Sequence, residues 1–289
     1  MLTDYHLHLR PDDLGASTAE HHTQANAERY RRAASERGIA ELGVSEHVYR
    51  FTQALSVWRH PLWVAGARDD LDDYCAFVKE QTDLRLGIEA DFVPGCEDRM
   101  GNLLDARDFD YVVGSVHFLR DRALDMHDYS VWDGTRSAEE IWRRYFETVA
   151  ESARSGLFDI VAHPDLVKYW GPAHPARVPA GDLRRYYEIA VEGIADGGVA
   201  VEVSTAGLRK PVGEIYPARP FLEMCLEAGV PIALSSDAHH PEDVGAGYEQ
   251  ALELFAELDV RELCVFEGRS RRLLAIGADA PSDAGAPAR

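Results

Sequence analysis

Two histidines one residue apart, His6 and His8, stand in the opening stretch "TDYHLHL", and in an extended strand alternate side chains share a face. Their imidazoles therefore aim at one point while Tyr5, Leu7 and Leu9 take the other side, an arrangement suited to a metal ion. Further histidines and carboxylates recur at or near the ends of later apolar segments: Glu46 and His47, Glu89 and Asp91, His117, His163 and Asp165, Glu202, and Asp237 with His239 and His240. Imidazole mixed with carboxylate suits Zn, Mn or Fe, whereas an all-oxygen set would suggest Mg or Ca. The set exceeds one ion, so at least two divalent ions are expected, with room for a third. A lone His at a strand end is more often a hydrogen-bonded or surface residue than a ligand, but independent noise does not explain the whole ordered set.

The elements that must position these residues are legible as short β-rich segments, "TDYHLHL", "IAELGVSEH", "LRLGIEADF", "YVVGSVHFL", "DIVAHPD", "VAVEVSTAG" and "PIALSSDAHH". Helix-like stretches lie between most of them, such as residues 17–37, 68–82, 138–155, 182–195 and 248–257. Alternation of this kind implies parallel strands joined by right-handed crossovers. An open doubly wound sheet would share the alternation but would bring only two or three strand ends together. A parallel barrel gathers all of them on one rim, so the expected fold is an α/β barrel of seven units. The stretch 49–66, with two Trp, and the stretch 120–135 read as long loops acting as lids or pocket walls.

The chain has 289 residues, 46% of them hydrophobic, enough for one full core. We expect a single domain over residues 1–276, followed by a disordered tail, 277–289, poor in large apolar groups. The formal net charge of -20 would repel a phosphate backbone, so bulk nucleic-acid binding is not expected. No apolar run approaches a membrane span, and the N-terminus enters Asp4 and His6 without a charged-then-apolar leader; the expectation is a soluble cytoplasmic protein. Cys75, Cys96, Cys225 and Cys264 lie far apart with no C-x-x-C pair, so neither a thiolate zinc site nor a disulfide framework is indicated.

Taken in order, H-x-H, E-H, G-x-E, S-x-H, A-H-P and S-D-A-H resemble the PHP (polymerase and histidinol phosphatase) superfamily across nearly the whole chain. The stretch "VEVSTAGLRKPVGEIYP" is similar to the histidinol-phosphatase branch. The resemblance implies a distorted (β/α)7 barrel with a trinuclear metal centre at the C-terminal strand ends. It places one ion among His6, His8, Glu89 and Asp237, lets Glu89 bridge to a second ion on His117 and His163, and gives a third to His47 and His239. The carboxylate usually supplied by the loop after H-x-H would be Asp13 or Asp12, Asp13 being chosen although Leu14 occupies the most direct spacing.

The implied activity is metal-assisted hydrolysis of a phosphate monoester, with L-histidinol phosphate, in histidine biosynthesis, as the expected small-molecule substrate. Arg209 with Lys210 is the best placed cation pair for the phosphate, because a guanidinium matches two phosphate oxygens; Lys168 and Arg10 come second. Glu202, Asp165 or Glu46 would meet the substrate's ammonium, and Trp58, Trp63 or Tyr169 its ring. Asp237 and His239 are the candidates for protonating the leaving group, and Arg209 completes the expected catalytic set.

Blander readings exist for each. Glu202 could orient a ligand imidazole instead, Asp165 could cap a turn, Arg209 could be a solvated loop charge, and the tryptophans could be packing. His21, His22, His60, His127 and His174 read as solvent-facing, His127 being the first exception to consider. Two competing functions remain: a PHP phosphoesterase acting on nucleotides or other small phosphates, and a catalytically idle metal-binding regulatory domain.

Overall fold

In the computed structural model, which describes residues 1–12, 16 and 18–277, seven parallel strands follow one another around a barrel. They are β1 (Leu2–Asp4), β2 (Ile39–Val44), β3 (Arg85–Asp91), β4 (Tyr111–Ser115), β5 (Ile160–Val161), β6 (Ala200–Ser204) and β7 (Ile232–Ser235), paired in that order. Each is followed by a helix that covers its outer face: α1 (Gln24–Glu36), α2 (Leu71–Gln81), α3 (Glu97–Asp105), α4 (Ala138–Arg154), α5 (Arg184–Gly197), α6 (Arg219–Glu227) and α7 (Tyr248–Glu257). The chain is thus a nearly closed (β/α)7 barrel. Of the expected disordered tail, 277–289, all but Gly277 lies outside the described residues.

Local chemistry sets the element ends. Ser137 and Glu140 form a reciprocal capping box at the start of α4, and Ile141, Trp142, Tyr145, Val149 and Ala153 make its buried stripe. The helix-like stretch 17–37 is interrupted because Thr23 caps α1 with its side chain, leaving Thr18–His21 as a separate turn of helix. The first strand is also shorter than expected, so His6 and His8 lie beyond it.

Closure between β1 and β7 is made by a few bonds rather than a ladder. Leu7 and Ala238 form one parallel bridge, His8 N donates to Ala238 O at 2.8 Å, and Ser236 N donates to the Asp4 carboxylate at 3.0 Å. This contact holds the first and last ligand-bearing segments side by side.

Strand alternation decides what enters the barrel. On β6 and β7, Val201, Val203, Ile232 and Leu234 pack outward in the large core, while Ala200 and Ala233 belong to a second, inner cluster with Tyr5, Tyr111, Val113 and Ile160. Tyr111 fills the interior only because residues 43 and 87 are glycines; a Cβ there would stand 2.3 and 2.2 Å from its ring or hydroxyl. A C-terminal hairpin, β8 (Glu262–Glu267) with β9 (Ser270–Ala275), was not foreseen, and its Phe266 packs edge-on against Tyr5 at 5.5 Å. The hairpin plugs the N-terminal end of the barrel, leaving polar residues to the other end.

Candidate metal centre

Glu89, near the end of β3, is the hub of the polar end. His6 Nε2 and His8 Nε2 stand 3.5 and 3.6 Å from its Oε2, and His163 Nε2 and His117 Nε2 stand 3.4 and 3.5 Å from its Oε1. His47 Nδ1 also contacts Oε2. Asp237 Oδ1 lies 3.4 Å from His8 Nε2 and 3.7 Å from His6 Nε2. The ligand-type atoms fall into four overlapping groups: His6, His8 and Glu89; His6, His163 and Asp237; Glu89, His117 and His163; and His8, His47 and His239.

The distances say what the site is for. A nitrogen and an oxygen 3.4–3.6 Å apart are too distant for a good hydrogen bond, and His6 Nε2 and both nitrogens of His8 are buried without a hydrogen-bond partner. Orphaned groups of this kind are costly in an apolar interior. Two ligands at about 2.1 Å from a shared ion, at a tetrahedral angle, stand roughly 3.4 Å apart. The residues present therefore fit divalent metal ions.

Further residues set the tautomers. His6 Nδ1–H donates to Glu202 Oε1 at 2.8 Å, and His117 Nδ1–H donates to Asp91 at 2.8 Å, so each ring turns Nε2 inward as a donor atom. Burial would raise the Glu89 carboxyl, but His47, His6 and His117 hold it well below the usual range. Burial would lower His117, but Asp91 and Glu89 raise it to about 10. Two ligand candidates carry left-handed backbone, His163 (φ 24) and Asp237 (φ 49), a strain that persists where surrounding structure fixes it.

Asp12 lies 3.0 Å from His239 Nε2 and 3.3 Å from His47 Nε2, with Arg50 holding the same oxygen at 3.2 Å. It is the described carboxylate beside the His8, His47 and His239 group. Asp13 lies outside the described residues.

A cavity of about 450 Å³ opens above the cluster, walled by Tyr49, Trp63, Phe118, Asp125, Tyr169 and Lys210, with Asp12, His47, Glu89, His117, Asp237 and His239 along its floor. Burial would lower the Lys210 ammonium, but Asp237, Asp12, Tyr169 and Asp125 raise it and keep it charged.

Four expected substrate contacts are placed elsewhere. Arg10 is buried and paired with Asp69. Lys168 pairs with Asp165 at 3.0 Å and with Glu214 at 3.3 Å, and lines a second cavity with Leu208 and Val212 rather than the one above the cluster. Glu202 is fully buried, one oxygen taken by His6 and the other by His163 N at 2.6 Å. Arg209 turns away from its neighbour: its guanidinium donates to Ser236 O at 2.6 Å and Asp237 O at 3.2 Å, and lies 3.5 Å from Asp243.

Glu46 is likewise occupied, by Arg50 and by His22 at 3.2 Å, so His22 is an internal partner and not a solvent-facing residue. His60 is buried too, stacked on Trp58 and capping a short helix. His127 lines the cavity. The residue that pattern reading missed is Asp125, in an irregular excursion whose sequence carries no periodic signal.

The fold and this cluster define a class: the PHP domain family matches residues 14–206, and the chain belongs to it. Its relatives are consistent. A protein named "Probable histidinol-phosphatase" from Deinococcus radiodurans is 34% identical over 239 residues, spanning 80% of this chain and 87% of the relative. The histidinol-phosphatase of Bacillus subtilis is 25% identical over 253 residues, spanning 81% and 94%. The crystal structure of a histidinol phosphate phosphatase from Lactococcus lactis, complexed with zinc, L-histidinol and phosphate, superposes with a TM-score of 0.68 over 94% of this chain and 98% of that one, at 18% identity. That likeness shows the shared barrel.

Proposed function

We propose that this chain is a metal-dependent phosphomonoesterase that hydrolyses L-histidinol phosphate to L-histidinol and phosphate, with two or three divalent ions of the Zn, Mn or Fe type. The observation that carries the reading is the Glu89-centred cluster of inward-facing imidazole nitrogens beneath a cavity that also holds a charged Lys210. Its sequence relatives, one of them 34% identical, carry the histidinol-phosphatase name.

His6, His8, Glu89, Asp237, His117 and His163 would hold two ions, and His47, His239 and Asp12 the third. When bound, such ions supply the charge that makes a water nucleophilic near neutral pH and offsets charge on the phosphoryl oxygens. The chain's own residues do the rest. Lys210 draws the phosphate dianion to the cluster as a point charge. Glu202 and Asp91 hold ligand rings in orientation, and Arg209 holds the backbone that carries Asp237. Trp63, Phe118 and Tyr49 narrow the cavity against bulk water. His239, whose Nε2 faces Asp12 at the floor, would be committed to that third ion and so is not free to deliver a proton to the departing alkoxide while the ion is bound.

We assign its place of action to the cytoplasm, since the substrate is a small charged metabolite that does not cross membranes unaided. No helix among the described residues is long and apolar enough to cross a membrane.

The test is phosphate release from L-histidinol phosphate beside a panel of nucleotides and sugar phosphates, with metal content measured on the same preparation. Preference for histidinol phosphate, lost on chelation and restored by Zn or Mn, is the expected result. A nucleotide-biased profile with metals bound would overturn the substrate while keeping the site.

A further inference from the structure

The carboxylates facing the cavity differ in what neutralises them. Asp12 pairs with His239 and His47, Glu89 with the surrounding imidazoles, and Asp237 with His6 and His8. Of the two wall carboxylates, Asp128 is exposed to solvent, whereas Asp125 is half-buried and has no such partner: its Oδ1 is buried and accepts no hydrogen bond. Lys210 and His117 feel its charge, but Asp237 and Asp12 act on Lys210 more strongly, Asp91 and Glu89 act on His117 more strongly, and no ion pair joins either to Asp125 among the described residues.

Its position is fixed by its neighbour. Leu124 N donates to His117 O at 3.0 Å, and Leu124 O accepts from two indoles, Trp170 Nε1 at 2.8 Å and Trp132 Nε1 at 3.3 Å. The excursion is thereby tied on one side to a ligand-bearing segment and on the other to two large rings. A carboxylate on so constrained a backbone is presented to the cavity rather than free to turn into solvent, and the same backbone tie sets its distance from the metal end.

A half-buried carboxylate with one buried oxygen left unpaired is costly alone and favourable once a cation arrives. The glutamates and aspartates that sequence reading assigned to the substrate's ammonium, Glu202, Asp165 and Glu46, are all spent on internal partners. We infer that Asp125 is the specificity-determining residue for the leaving group: it accepts a hydrogen bond from an ammonium on the alcohol portion of the substrate while the phosphate lies at the metal end beside Lys210. This rests on the phosphomonoesterase reading and narrows it to phosphate esters of amino alcohols. Esters lacking the amine leave Asp125 unpaired and are disfavoured, and anionic leaving groups are repelled.

The experiment compares amine-bearing esters with amine-free partners: L-histidinol phosphate with imidazolylpropyl phosphate, and ethanolamine phosphate with ethyl phosphate. Each is assayed on the metal-loaded wild type and on Asp125→Asn, which keeps size and shape. The expected result is a wild-type preference in kcat/KM for the amine-bearing member, on the order of ten- to a hundredfold, that collapses toward unity in the variant. The loss should appear in KM, with amine-free esters turned over equally by both proteins. Calorimetric binding of L-histidinol should weaken in parallel, and Asp125→Glu should restore part of the preference. A variant that loses activity on both members of a pair equally, or a wild type with no amine preference, overturns the inference. Failure to hydrolyse histidinol phosphate, with an Asp125-dependent preference kept on the ethanolamine pair, removes the proposed substrate and leaves the role of Asp125 standing.

Discussion

Glu202 serves His6 and His163 at once: one carboxylate oxygen accepts from the His6 ring at 2.8 Å and the other from the His163 backbone N–H at 2.6 Å. A single fully buried side chain on β6 therefore orients ligand candidates from the first and fifth strand ends. Glu202→Gln can keep only part of this, because an amide oxygen and an NH2 replace two acceptors. Metal affinity should fall by about ten- to a hundredfold, measured by competition with a chelator; unchanged affinity would mean that the ring needs no such holder.

Arg209 and Lys210 should separate cleanly. Arg209 ties the carbonyls of Ser236 and Asp237, where Asp237 holds a positive φ, so Arg209→Met should lower metal content and kcat together. Lys210→Met should leave metal content intact and raise KM by about tenfold or more, the loss of a charge that draws the phosphate. Metal analysis beside steady-state kinetics decides it. The reverse pattern would restore Arg209 as the phosphate contact.

Metal loading should release protons. In the metal-free chain His117 is held up near pKa 10 by Asp91 and Glu89 against the pull of burial, and a protonated ring cannot ligate. Apparent affinity should then rise as pH increases toward 10, and titration calorimetry in two buffers of different ionisation enthalpy should report the protons. Chelation should also lower Tm, by on the order of 10 °C if the ions are held near a thousandfold saturation. Binding without proton release would contradict the arrangement.

Asp4 gives a pH dependence of stability that needs no metal. Burial raises its carboxyl to about 6 despite two hydrogen bonds from Ser236. This folded value lies above the unfolded carboxylate value of about 3.9, so the folded chain binds more protons between the two. The contribution is full below about pH 4 and lost as pH rises through about 6. Asp4→Asn, which can still accept from Ser236 N–H, should flatten that slope in urea unfolding of the metal-free protein; an unchanged slope would place the titration elsewhere.

Much of the molecule follows from local order in the chain. Alternating apolar segments and amphipathic stretches require parallel strands and covering helices, and the recurrence of His, Asp and Glu at strand ends requires a barrel to bring them together, since only closure makes seven ends neighbours. The periodicities that carry these signals, two and about 3.6 residues, are set by the backbone alone. The C-terminal hairpin escaped because its strands lie after the last ligand segment and answer to the barrel floor.

Which polar residue serves which partner was decided only by the tertiary structure. Arg209 and Lys210 are adjacent in sequence yet point to different places, one to the carbonyls of residues 236 and 237 and one to the cavity. Glu202, Lys168, Arg10 and His22 satisfy groups far from them in the chain: Glu202 meets His6 and His163, 196 and 39 positions away, Lys168 meets Glu214 at 46, Arg10 meets Asp69 at 59 and His22 meets Glu46 at 24. Asp125 remains unpaired for the same reason, since nothing near it in sequence shows that no cation arrives. Hydrogen bonds and ion pairs depend on separations of a few ångström through space, and the chain's order does not contain those distances until packing creates them.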